Sequence, residues 1–239
     1  NDAGNQIDIL ANSVFIRYEE IILKKTAVIP EGYYPGEYLI SVAKSLYNLH
    51  NDSLLNCDKF KALEIIKKFS IDFILNEIKI DLGRLNIEMD KYSSEKTLVQ
   101  DLSVDKTIQE LKNKGLIYSG ILPSPKSKVE DWEPKEQTLF KSKIFGDDED
   151  RTIIKSDGTL TYFASDIAYH RDKLIRTNGK LINIWGADHG GYVKRMIAAV
   201  NAIADKEGQL EIKLCQMVNL IKNNQPLKMS KRAGNFITL

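Results

Sequence analysis

Between residues 160 and 204 the hydrophobic period switches repeatedly, and this constrains the fold more than any other feature of the chain. Residues 160–163 form a short β-prone run, and 165–176 carry helical spacing. Residues 181–185 are an apolar run that stops at Gly186, as a buried strand would. Val193, Met196, Ile197, Val200 and Ile203 then mark one face of a further helix. Strand, helix, strand, helix predicts an α/β fold with a doubly wound parallel sheet. Residues 210–221 supply a further strand candidate, with Asn223 and Asn224 as a turn.

The segments before this core read differently. Ile7, Leu10, Val14 and Ile21 predict an opening helix, with Asn1 or Asp2 as its cap. Pro30, Gly32, Pro35 and Gly36 break it. A second helix is predicted over 37–50. A longer amphipathic one runs to about residue 80, with Phe60, Leu63, Ile66, Phe69 and Phe73 on its apolar side. A short helix over 107–114 ends at Gly115, and 116–118 suit a strand. Residues 119–151 hold Pro123, Pro125, Pro134, many lysines and an acidic run at 147–150; that run reads as a solvated acidic loop. Asp157-Gly158 between two β-prone runs predicts a hairpin over 152–163.

Composition removes several function classes. Lys and Arg total 34 against 33 Asp and Glu, a net charge of +1, which excludes a strongly basic nucleic-acid domain recognised by charge alone but not a locally basic face. No apolar run approaches the ~18 residues that a membrane span needs. Cys57 and Cys215 lack CxxC spacing, so neither a disulfide framework nor a metal site is expected. Reduced thiols fit a cytoplasmic location.

The segment with the strongest chemical content lies at the end. Lys228, Lys231 and Arg232 share a loop with Gly234. Lysines on a loop reach phosphate oxygens and neutralise charge that builds up in nucleotidyl transfer. Residues 228–231 read KMSK, which resembles the second signature of class I aminoacyl-tRNA synthetases. The longer string KMSKRAGNFITL resembles the form in arginyl-tRNA synthetases. Three more segments agree in order: NDAGNQI at 1–7, KSDGTLTYFASDIAYHRDK at 155–173 and WGADHGGYVKR at 185–195. The chain thus resembles the bacterial type of that family. The resemblance implies a Rossmann-like catalytic domain built from residues 1–29 and 145–239, interrupted by a largely helical insertion at 30–144.

One departure stands out. His50, His170 and His189 are the histidines, and none sits in the His-x-Gly-His signature that grips ATP in class I enzymes. In the family that signature precedes NDAGNQI, and the anticodon-binding domain follows KMSK. The expectation is a catalytic-domain piece, inactive alone. A non-catalytic module that binds tRNA or a protein partner is the alternative.

Residue roles follow. Tyr162 and Asp166 lie four apart at the predicted strand-to-helix junction, where spacing leaves helix capping and ligand binding both open. In the arginyl family the matching pair contacts the substrate guanidinium. Gly186 admits a close ligand after a strand. Asp188 and His189 are candidates to hydrogen-bond the ATP ribose or the amino-acid end. Gln6 is placed near the cleft by the resemblance alone, with capping or loop packing equally open. His170, four residues after Asp166, reads as structural rather than as a metal ligand. Lys228 and Lys231 are the expected catalytic cations, with Met229 and Ser230 shaping the ATP loop. The resemblance implies L-arginine, ATP with Mg2+ and tRNA(Arg) as substrates, no permanent cofactor, a monomer, and tRNA bound before arginine is activated.

Overall fold

The computed structural model describes residues 2, 4–123, 134–177 and 179–226. The chain divides into two compact units, Asn1–Ser94 with Asn219–Leu239, and Glu95–Val218. This division is one of compactness and has different boundaries from the 30–144 insertion expected from family likeness.

The first unit is helical. α1 (Asn5–Leu23), α2 (Tyr38–His50) and α3 (Lys59–Arg84) pack on one another around Leu10, Val14, Phe15, Tyr18, Leu39, Val42, Leu46 and Ile66. Apolar residues at helical spacing produce these elements, as the sequence predicts. The start of α1 differs from expectation. Its N-cap is Gly4 at φ 86, with no side-chain cap, while Asp2 accepts a hydrogen bond from Ser94. Asn1 lies outside the described residues. α3 is capped properly, since the Lys61 amide donates to Asp58 Oδ1 at 3.1 Å. Its core line is Ala62, Ile66 and Ser70, spaced four apart. Leu63, Phe69 and Phe73 of the predicted apolar side pack against that core, and only Phe60 stays out of it, 74% exposed.

In the second unit α4 (Glu95–Gln100) precedes α5 (Ser103–Asn113). Gly115 at φ 67 ends α5, and the Leu116 amide turns back to the Leu111 carbonyl at 2.9 Å. β1 (Ile117–Gly120), β2 (Gln137–Phe140) and β3 (Arg151–Ile154) form an antiparallel sheet in that order. β2 arises inside the stretch rich in proline and lysine, where no strand is predicted. The acidic run is not simply solvated either. Asp147 is buried, and Arg151 grips it with two hydrogen bonds of 2.7 Å. Ser142 and the Asp148 amide donate to the same carboxylate. Burial pushes that carboxyl up, but these donors outweigh it and hold it below the usual range.

The hairpin turn at Gly158 (φ 82) forms, with Asp157 accepting from Thr159. Its second arm is only a bridge from Leu160 to Ile154, because α6 (Tyr162–Arg176) begins directly afterwards. β4 (Leu181–Gly186) and β5 (Leu210–Cys215) pair in parallel, from Leu181 against Leu210 to Gly186 against Cys215. α7 (Val193–Ala204) makes the crossover between them. Phe140, Ile153, Phe163, Ile167, Met196 and Val200 fill the core between helices and sheets. The fold is therefore mixed α/β with a parallel strand–helix–strand unit. Beyond it, Asn223 and Asn224 at φ 53 and 58 turn β6 (Ile221–Lys222) into β7 (Gln225–Pro226), as a two-residue hairpin requires.

Candidate active site

α6 starts where the backbone leaves the β3 side of the unit, and its first turns carry Tyr162, Phe163 and Asp166. Phe163 points into the core, which fixes the helix rotation. Tyr162 is 83% exposed and lines an open cavity of about 880 Å³, together with Thr152, Lys155, Tyr192 and Arg195. That volume falls within the range of small-molecule sites.

Asp166 is half-buried on the same helix. The Tyr192 hydroxyl donates to its Oδ2 at 2.7 Å. Burial pushes the Asp166 carboxyl up, opposed by the Tyr192 hydrogen bond and by the charges of Lys173 and His189. Tyr192 is enclosed by aromatic rings, with Phe163 edge-on at 6.1 Å and Trp185 tilted at 5.9 Å between centroids. The Arg195 guanidinium lies 4.9 Å from the Tyr192 ring centroid. The result is a half-buried carboxylate hydrogen-bonded to a tyrosine that is itself packed among aromatic rings and lines the cavity, while Asp166 is not among the lining residues.

A buried polar chain stands behind it. His170 Nδ1 lies 2.7 Å from the Asp166 backbone oxygen. A carbonyl oxygen only accepts, so Nδ1 carries the proton. Nε2 then accepts from the Asn183 amide at 2.7 Å, and Asn183 Oδ1 accepts from Lys173 Nζ at 3.0 Å. Burial lowers the His170 pKa to about 4, so the ring is neutral. Burial also lowers the pKa of Lys173, whose ammonium lies 4.3 Å from the Tyr169 ring centroid. His170 is a structural histidine with every ring nitrogen bonded, as the sequence reading favours.

Gly186, Asp188 and His189 lie where β4 ends and a 3₁₀ turn (Ala187–Tyr192) begins. A Cβ on Gly186 would collide with the Asp188 carboxylate. The Asp188 and His189 side chains are 69% and 61% exposed and approach within 3.7 Å. Structure thus brings Asp166 and the end of β4 together through Tyr192 and Trp185. Gln6 is exposed in the first turn of α1, in the other unit. Lys228, Met229, Ser230 and Lys231 lie outside the described residues. Among the described residues no cluster of His, Cys, Asp or Glu could hold a metal ion, and no helix is long and apolar enough to cross a membrane. Sequence reasoning missed Tyr192 and Arg195. Both stand in WGADHGGYVKR, but only the folded turn directs the hydroxyl to Asp166.

The α/β fold is that of a class I aminoacyl-tRNA synthetase catalytic domain. No family model matches the chain. It is 52% identical over 240 residues to an arginine–tRNA ligase of Roseobacter denitrificans, and 50% identical over 242 residues to one of Methylorubrum extorquens. Each match covers all of this chain and 41% of the relative. A crystal structure from Campylobacter jejuni described as an arginyl-tRNA synthetase superposes with a TM-score of 0.79 at 37% identity, over 99% of this chain and 48% of that one. An arginyl-tRNA synthetase structure from Plasmodium falciparum, at 15% identity and a TM-score of 0.52, shares the fold over 90% of this chain and 34% of that one. The chain is homologous along its whole length to a part of the arginyl-tRNA synthetases.

Proposed function

We propose that the chain is the central part of an arginine–tRNA ligase catalytic region. The observation that carries this is the half-buried Asp166 carboxylate, bonded through the ring-packed Tyr192 hydroxyl to the turn that follows β4. A guanidinium is planar and permanently charged, and a carboxylate of fixed orientation selects it over a flexible ammonium. Tyr162 at the cavity rim adds an aromatic wall with a polar tip. His189 and Asp188 stand at the β4 end, where ligands of doubly wound sheets bind.

The reaction has two steps. An arginine carboxylate oxygen attacks the α-phosphorus of ATP, and the bond to pyrophosphate breaks. The 3′-terminal ribose hydroxyl of tRNA(Arg) then attacks the acyl carbon and releases AMP. The protein's contribution is orientation and charge stabilisation. Lys228 and Lys231 neutralise phosphate charge, Lys231 chiefly, and Met229 and Ser230 shape that loop. Mg2+ enters with ATP as part of the substrate. Residues 30–144 form the insertion of the catalytic domain, Gln6 is assigned to arginine binding by the family likeness alone, and the enzyme acts as a cytoplasmic monomer.

The test is amino-acid-dependent pyrophosphate exchange by the full-length protein, with and without tRNA. Exchange with arginine alone, and only when tRNA is present, is expected. Asp166→Ala should raise the arginine KM by at least about a hundredfold, since an ion-paired substrate contact is lost. Exchange with a different amino acid would overturn the pocket, and a folded protein inactive with all of them would point to a non-catalytic module.

A further inference from the structure

The proposed reaction gives no task to the Tyr192 hydroxyl, yet few groups near the site are so firmly placed. Its ring is held edge-on by Phe163 and tilted against Trp185. Arg195 lies over that ring and, at 5.8 Å, over Phe163 as well. From this fixed position the hydroxyl donates to Asp166 Oδ2 at 2.7 Å. An aspartate carboxylate otherwise turns easily, because its terminal torsion is broad. A planar guanidinium, by contrast, pairs well only when the carboxylate plane is set.

We infer that Tyr192 is a positioning residue, which holds the Asp166 carboxylate in the orientation that receives the guanidinium of the substrate. The inference rests on the proposed arginine-binding role of Asp166. Its division of labour is simple. Oδ2 is tethered to the turn after β4, and Oδ1 is the oxygen left to pair with a guanidinium. The backbone of the same residue is tied separately, through His170 and Asn183, so side chain and main chain are braced from different elements.

A pH signature accompanies the tether. The groups facing Asp166 are Tyr192 and His189 from the turn after β4, Lys173 and His170 from α6, and Arg195 from α7 by way of the Tyr192 ring. The Tyr192 hydrogen bond favours the ionised carboxyl, whereas burial favours the neutral one. Removing the hydroxyl leaves burial less opposed and moves the carboxyl's titration to higher pH.

The experiment is aminoacylation by the full-length protein, comparing wild type, Tyr192→Phe, Asp166→Asn and the double variant. Tyr192→Phe keeps the ring stack, so its thermal midpoint should stay close to that of wild type. Its arginine KM should rise about tenfold, with kcat and the ATP KM changed less than about twofold, as for loss of one hydrogen bond to a charged group. The acid limb of kcat/KM for arginine should move to higher pH. In the Asp166→Asn background, Tyr192→Phe should add less than about twofold, because the two residues act as one unit. A carboxyl 13C titration of Asp166 reads the same link without turnover and should also move to higher pH. Wild-type activity with arginine beside an unchanged Tyr192→Phe variant overturns the positioning role alone, as does a tenfold effect that persists in the Asp166→Asn background. A wild-type protein inactive toward arginine overturns the underlying reading and the proposal with it.

Discussion

The helical unit and the α/β unit bury their interiors by different means. Around α1, α2 and α3 the core is apolar apart from a few hydroxyls, such as Ser13, which accepts from the Tyr34 amide and donates to the Ile9 carbonyl. In the α/β unit, Asp147, Ser142, His170 and Asn183 are all buried, each with hydrogen-bond partners. Apolar contacts fix volume but are tolerant of direction. Satisfied polar contacts fix direction, and they fail sharply when one partner is removed. The unit that carries the candidate active site is the one built with directional contacts.

Removing the Asp147 carboxylate is the most severe test of this contrast. Asp147→Ala leaves the largely buried Arg151 guanidinium without its buried partner, with Glu149 and Asp148 as the remaining nearby carboxylates. A loss of about 4 kcal/mol in urea unfolding is expected, in the range for breaking a buried ion pair. The helical unit's counterpart is Ile66→Ala. Ile66 is fully buried on α3, and truncation should cost about 3 kcal/mol through lost burial and a residual cavity. That loss should be the same at pH 5 and pH 8, because no ionisable group is involved. A loss for Ile66→Ala that varied strongly with pH would blur the distinction between the two cores.

At neutral pH the smallest effect belongs to His170, whose titration is felt only in acid. Its folded-state pKa of about 4 lies below the ordinary 6.5, because burial disfavours the charged ring. Between those values the unfolded chain takes up a proton that the folded chain refuses. The stability it contributes is therefore complete above pH 6.5 and is lost as pH falls toward 4, by roughly 3 kcal/mol. His170→Gln should flatten that part of the stability profile. An unchanged profile would show that another group sets it.

Much of this arrangement is legible in the sequence, and the exceptions share a cause. α2, α5, α7, β4 and the turns at Gly158 and Asn223-Asn224 follow from period and turn chemistry. Tyr162 and Asp166 come from a motif and do share α6. What local pattern does not contain is long-range partnership. β2 is a strand because β1 and β3 flank it, although its surroundings are rich in proline and lysine. Asp147 is buried because Arg151 reaches it, whereas an acidic run alone reads as solvated. The second hairpin arm yields to α6 because helix formation begins at Tyr162. Tyr192 looks like one more aromatic residue of a motif until the turn after β4 carries it to Asp166.

Asn183 has a consequence for the strand that holds it. In β4 the two isoleucines, Ile182 and Ile184, are 61% and 71% exposed, while the amide between them is 5% exposed. Hydropathy alone would favour the opposite arrangement. Sliding β4 by one residue against β5 would turn the isoleucines inward, but it would strip His170 and Lys173 of their amide partner. One side chain thus acts as a register pin. It trades some apolar burial for a single permitted alignment of the strand, and so sets where β4 ends and where the turn carrying Asp188, His189 and Tyr192 begins.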